Sequence, residues 1–213
     1  MTMKKIMFND KYGLTQAVLE GRKTMTRRVI SYPSKFRGQN VAGYYVCRKP
    51  SGELVEVCLH DEDERMIDAG QIFPNFQVGE VVAIAQSYKD SGYTPDSLDR
   101  HPKDLSIRGL MKDSAGWNNK MFVKSYACKH HIKITNIKVE RLQEISDDDC
   151  LTDGIFAWNA GQNDIPFYSF SSADIPDYFS PRDAFADLID KVSGKGTWEE
   201  NPFVWVYEFK LFD

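Results

Sequence analysis

The chain has 213 residues, of which 42% are apolar and 27% charged, and its formal net charge is −4. That length suits one large domain or a domain with insertions, and the composition excludes a disordered, collagenous or membrane-spanning class. Residues 1–50 hold 11 Lys and Arg against 2 Asp and Glu, so a basic end sits on a mildly acidic protein, which suits a local anion site without general stickiness for nucleic acid.

The four cysteines are Cys47, Cys58, Cys128 and Cys150. No pair has C-x-x-C spacing, which argues against a zinc knuckle or a redox motif, so neither metal nor cofactor is expected. Cys47 and Cys58 could face each other across a hairpin, and free cysteines also serve as small buried hydrophobes. The N-terminus has no apolar signal core and no apolar run is long enough to cross a membrane. A cytoplasmic protein with reduced thiols is the expectation.

In chain order, Leu14, Ala17 and Val18 form an i, i+3, i+4 stripe that predicts a short amphipathic helix, with Gly21 as its C-terminal stop. Directly after it comes Gly21-Arg22-Lys23-Thr24-Met25-Thr26-Arg27-Arg28, with four cations, two hydroxyls and no acid. The strand-like period places Lys23, Met25 and Arg27 on one face and Thr24, Thr26 and Arg28 on the other. Hydroxyls between cations suit phosphate or carbonyl oxygens, although a charge run of this kind also serves as a solvated face.

Residues 29–40 read as a loop. Val41–Lys49 and Glu53–Leu59 flank Pro50-Ser51-Gly52 and predict a β-hairpin. Met66–Phe76 is ambiguous, and Val81–Gln86 has the short apolar run of a buried strand. Residues 89–119 lack apolar periodicity and read as an inserted excursion. The run from Lys129 to Leu142 is β-rich, with a phase slip near Asn136 that predicts a bulge. Ser146 followed by Asp147, Asp148 and Asp149 reads as a helix N-cap, and Gly154 ends that helix. Residues 155–179 read as a second insertion. Ser180-Pro181 starts another helix, with Phe185, Leu188, Ile189 and Val192 as its buried stripe and Gly194 as its end. Phe203–Leu211 alternates and closes a sheet. Short strands with marginal helices favour one mixed, curved sheet closing toward a β-barrel.

Several of these segments, in this order, resemble the activating signal cointegrator homology (ASCH) family. They are the helix to Gly21 with R-K-T-M-T-R-R after it, G-E-V-V-A-I-A-Q, I-K-I-T-N-I-K-V-E-R-L-Q-E-I-S-D-D-D-C-L-T-D-G-I, and G-K-G-T-W-E-E-N-P-F-V-W-V-Y-E-F-K. The resemblance is closest to bacterial and prophage members and spans roughly half to two-thirds of residues 1–213 as discontinuous blocks. It implies an α+β fold, a single PUA-like mixed β-barrel domain with peripheral helices, and insertions near 89–119 and 155–179.

The resemblance also implies a cleft beside the basic segment that takes RNA or a modified nucleoside. Some small ASCH members resemble amidohydrolases that remove the acyl group of N4-acetylcytidine with a Lys, a Thr and a Glu. By position these fall on Lys23, Thr26 and Asp153, with Asp where the family has Glu. Asp is one methylene shorter, and about 1 Å of misplacement can cost roughly 100-fold in rate. Asp153 therefore reaches its partner through a water or a shifted helix, or the chain binds without turnover.

In that chemistry Thr26 supplies a hydroxyl that is inert until a base takes its proton. Lys23 acts as that base only where burial or nearby cations lower its pKa from about 10.4, and a close Asp153 opposes the shift. A structural ion pair between Lys23 and Asp153 is the alternative. Arg22, Thr24, Arg27 and Arg28 are candidate ligand contacts, and Tyr88 and Tyr126, with Trp198 and Trp205, are candidates for stacking a base. His130 and His131 would diverge on a strand and make a poor metal clamp. Two function classes follow, a binding module for RNA or a nucleotide and a nucleoside amidohydrolase. A phage assembly or interaction protein, working through its insertions, is a third.

Overall fold

The computed structural model describes residues 3–51, 54–92, 117–158, 166–171 and 177–212. Most of the excursion expected at 89–119, and the middle of the one at 155–179, lie outside the described residues. The fold is α+β. Its centre is a five-stranded sheet in the order β1 (Lys5–Ile6), β8 (Val81–Ile84), β9 (His131–Arg141), β12 (Phe203–Leu211), β2 (Met25–Val29). β1 runs parallel to β8, and the other neighbours are antiparallel. All nine residues of β12 pair with β9, which makes this ladder the spine of the sheet. Glu208 pairs with Asn136 but Phe209 with Ile134, so Thr135 is the extra residue of a bulge at the predicted phase slip.

The hairpin flanking Pro50 and Ser51 forms as β5 (Gly43–Arg48) and β6 (Leu54–His60), and β7 (Met66–Gln71) adds a third strand that the ambiguous segment left unassigned. These three strands are a sheet of their own, which corrects the expectation of one continuous sheet. Among the described residues neither sheet closes on itself: β1 and β2 are free edges of the larger one. The two sheets share a core instead. Val57 of β6 is buried with Ile84, Ile132, Val139 and Val204, and Tyr44 of β5 meets Phe203 at 6.4 Å between ring centroids.

Two smaller ladders complete the strands. β3 (Lys35–Phe36) and β4 (Gln39–Asn40) form a hairpin inside the segment read as loop. Its turn residues Arg37 and Gly38 both have positive φ, 46° and 83°, as a primed turn requires. β10 (Phe156–Trp158) pairs with β11 (Phe167–Ser169) within the second insertion.

The helices α1 (Leu14–Leu19), α2 (Tyr88–Ser91), α3 (Asp147–Thr152), α4 (Pro181–Ser193) and α5 (Thr197–Glu200) sit at the margins. The α4 start is the predicted one, with Ser180 Oγ accepting from Asp183 N at 3.0 Å and Pro181 at the first position. Ala184, Phe185, Leu188 and Ile189 face the core, whereas Val192 is exposed rather than buried. Among the described residues no helix is long and apolar enough to cross a membrane.

Ile132 is fully buried at the junction of β8, β9 and β12, so removing its side chain leaves a cavity in the shared core. Ile132→Ala is expected to lower the unfolding free energy by about 2–5 kcal/mol. Met66→Ala, at a side chain 63% exposed, should stay within about 0.5 kcal/mol. Urea unfolding midpoints check both.

Candidate active site

Two helix endings bring the basic segment and the acidic helix together. At the end of α1, Gly21 has φ 72°, its N–H donates to Val18 O at 3.0 Å, and Arg22 N donates to Ala17 O at 3.0 Å. This is a Schellman ending, which glycine permits because the left-handed conformation carries no Cβ penalty for it. At the end of α3, Gly154 N donates to Leu151 O at 3.0 Å and Ile155 N to Cys150 O at 3.1 Å, the same motif again. The two turns are tied by Thr24 N donating to Thr152 O at 2.8 Å.

Gly154 has a second reason to be glycine. Its φ is 116°, and a Cβ there would lie 3.2 Å from Leu14 Cδ2 and 3.3 Å from Lys23 Cδ. The missing side chain is the channel through which Lys23 passes. Lys23 Nζ then donates to both the carboxylate Oδ1 and the carbonyl oxygen of Asp153. Both residues are buried, 2% and 4% exposed. The shorter carboxylate thus reaches the lysine directly.

Arg27 completes the arrangement. β2 pairs with β12 so that Arg27 lies opposite Val206 and Thr26 opposite Tyr207. Its Nη1 donates to Asp153 Oδ2 at 3.0 Å, and its Nη2 to Glu140 Oε1 at 2.7 Å and Asp149 Oδ2 at 2.9 Å. Lys138 Nζ adds a contact to Glu140 Oε2 at 2.9 Å. Lys23, Arg27 and Lys138 therefore face Asp153, Glu140 and Asp149, and the charges balance. Of the four cations in the basic run, Lys23 and Arg27 are paired with acids distant in sequence, whereas Arg22 pairs with its neighbour Glu20 and Arg28 donates to a backbone carbonyl.

A cavity of about 700 Å³ opens beside this cluster. Lys23, Thr26, Arg27, Arg28 and Asp153 form its polar side; Phe8, Leu14, Phe185, Leu188, Ile189 and Val192 form its apolar side. Lys11 and Lys120 stand on its lining as well. Lys120 Nζ pairs with Asp10 and donates to Thr15 Oγ1 at 2.9 Å and Phe8 O at 3.1 Å. Nothing in the local sequence marked Lys120, one residue past the excursion, as a site residue, because its partners are set by the tertiary fold.

Burial pulls the Lys23 ammonium below the ordinary lysine range; Asp153 opposes that shift, while Arg28 and Arg27 add to it. Arg27 is also desolvated, yet Asp153 and Glu140 outweigh this and hold its guanidinium above its usual value. Arg28 donates to Met7 O at 2.6 Å at the rim.

Six sequence candidates lie away from the cavity lining. Arg22 pairs with Glu20 at 2.8 Å and lies 5.1 Å over the Phe156 ring. Thr24 is half-buried and contributes its backbone to the α3 junction. Tyr88 is buried in a satellite core with Ala83, Val123, Ala127 and Cys128, where no ligand can stack on it. Tyr126 is 66% exposed on the surface. Trp205 is buried in the core, and Trp198 packs against Phe185 and the Arg182 guanidinium.

Comparison with protein-family models, with curated proteins and with solved structures finds no match.

Asp153→Asn keeps the size of the side chain but leaves Lys23 and Arg27 facing a neutral group. Breaking a buried pair in this way should destabilise the fold by about 3–5 kcal/mol. Thermal unfolding at neutral pH checks it, and a melting temperature equal to wild type would mean that the cluster is not formed.

Proposed function

We propose that the cavity takes a nucleoside-sized ligand and hydrolyses an acyl amide on it, in an ASCH-type domain of PUA-like ancestry. The observation that carries this reading is the direct contact of buried Lys23 with Asp153 on the wall of a cavity that Thr26 also lines. The two sheets sharing one core stand, in this reading, for the family's barrel. The apolar wall from α4 suits a base or acyl group, and a pocket mixing a few polar groups with apolar lining is the usual form of a small-molecule site.

The division of labour follows from the residues. Lys23, as free base, accepts the Thr26 Oγ1 proton while Oγ1 bonds to the acyl carbon. The ammonium returns that proton to the amide nitrogen as the carbon–nitrogen bond breaks and the free amine leaves. Water then attacks the threonyl ester, Lys23 takes its proton and returns it to Oγ1, and the acid departs. Asp153 positions the lysine, and Arg27 holds Asp153 in turn. Only the free base of Lys23 works, so the rate rises with pH and levels off above a Lys23 pKa that burial sets below the ordinary value.

A second reading is favoured by Arg28 and Lys11 on the same cavity: binding of a nucleotide by its phosphate without bond cleavage. Incubation with N4-acetylcytidine, followed by chromatography, separates the two. Hydrolysis predicts release of cytidine, a loss of at least ~100-fold in Lys23→Ala and Thr26→Ala, and partial activity in Thr26→Ser. Absence of turnover, with nucleotide binding that weakens as salt rises and on Arg28→Ala, would favour the binding reading instead.

A further inference from the structure

The β5–β6 ladder gathers three metal-ligating side chains away from the cavity. Cys47 pairs directly with Glu56, and Cys58 lies two residues beyond Glu56 on β6. A strand alternates its side chains, so Glu56 and Cys58 share one face, and Cys47, opposite Glu56, joins them there. The two thiol sulfurs and a Glu56 carboxylate oxygen all lie within 4.8 Å of one another. Tetrahedral zinc with bonds of about 2.3 Å to sulfur separates two ligand sulfurs by about 3.8 Å, so the cluster needs only small side-chain adjustment to close on an ion.

Further features fit such a site. Gln71 of β7, opposite Cys58, donates through Nε2 to Glu56 Oε2 at 2.6 Å, which orients the carboxylate from behind as an outer-shell partner does. Cys47 and Glu56 are half-exposed while Cys58 is buried, so an ion has an entry path and a floor. Cys128 and Cys150 are buried elsewhere and take no part. Cysteine spacing along the chain misses the cluster because the ladder, not a C-x-x-C turn, brings the sulfurs together.

We propose that Cys47, Glu56 and Cys58 bind one zinc ion on the face of the three-stranded sheet. Two thiolates select a borderline-soft divalent ion such as zinc over magnesium or calcium, and the fourth position is left to water or an added ligand. The ion clamps β5 to β6 and is independent of the amide chemistry proposed above.

The full chain, kept reduced with a phosphine, is titrated with cobalt(II) as a spectroscopic stand-in and then with zinc. One cobalt per chain is expected, with a thiolate-to-cobalt charge-transfer band that equimolar zinc abolishes. Cys47→Ser and Glu56→Gln should each weaken binding at least ~10-fold, and Gln71→Leu about 10-fold through loss of the outer-shell contact. Cys150→Ser should leave the band unchanged. Cys47 is half-exposed, so its replacement tests the site even where Cys58→Ser disturbs the core. Absence of the charge-transfer band, its persistence in the Cys47→Ser/Cys58→Ser double variant, or a Cys47–Cys58 disulfide that survives the phosphine would each overturn the proposal.

Discussion

The contact of Lys23 with Asp153 is the constraint on which the site depends. An ammonium and a carboxylate that are both buried exact a desolvation penalty of several kcal/mol each, offset only by good geometry and by hydrogen bonds to the remaining atoms. The fold supplies those bonds. Asp153 Oδ1 goes to Lys23, Oδ2 goes to Arg27, and the far side of Arg27 is held by Glu140 and Asp149. The acids come from α3 and from β9, so the cluster ties the helix, the central strand and the edge strand β2 into one unit. Removing Asp153 leaves the buried Lys23 ammonium without its carboxylate partner, whereas Arg27 keeps Glu140 and Asp149.

Such a cluster has a structural use and a chemical one, and the cavity decides how far the second extends. A buried ion pair in a closed core would only join two segments. Here Lys23, Arg27 and Asp153 also line a space of about 700 Å³ with an apolar opposite wall. Burial and neighbouring cations lower the pKa of the Lys23 ammonium, while Asp153 opposes the shift and accepts its hydrogen bonds.

The parts of the fold written in local chemistry were legible from sequence. Ser146, Ser180, Pro181, Gly21 and Gly154 mark helix boundaries because caps act over a few residues, and the alternation along Phe203–Leu211 and its slip near Asn136 mark the central ladder and its bulge. The separate three-stranded sheet was not legible, because strand runs do not reveal which neighbours they pair with. β1 spans two residues, too few for any period. In the site, Lys23, Thr26 and Asp153 were traceable through motif position. The compensation of Arg27 by Glu140, 113 residues away, and by Asp149, 122 residues away, has no local signal. Tyr88 failed as a stacking candidate for a related reason: an aromatic side chain reads the same whether it lines a pocket or fills a satellite core.

The most direct test of the central claim is a crystal structure of the protein with a non-hydrolysable N-acyl nucleoside analogue in which a ketone replaces the scissile amide. The analogue is expected in the cavity, with its acyl carbonyl against Thr26 and Lys23 and its base along the apolar wall of α4. An analogue bound elsewhere, with this cavity empty at saturating concentration, would contradict it.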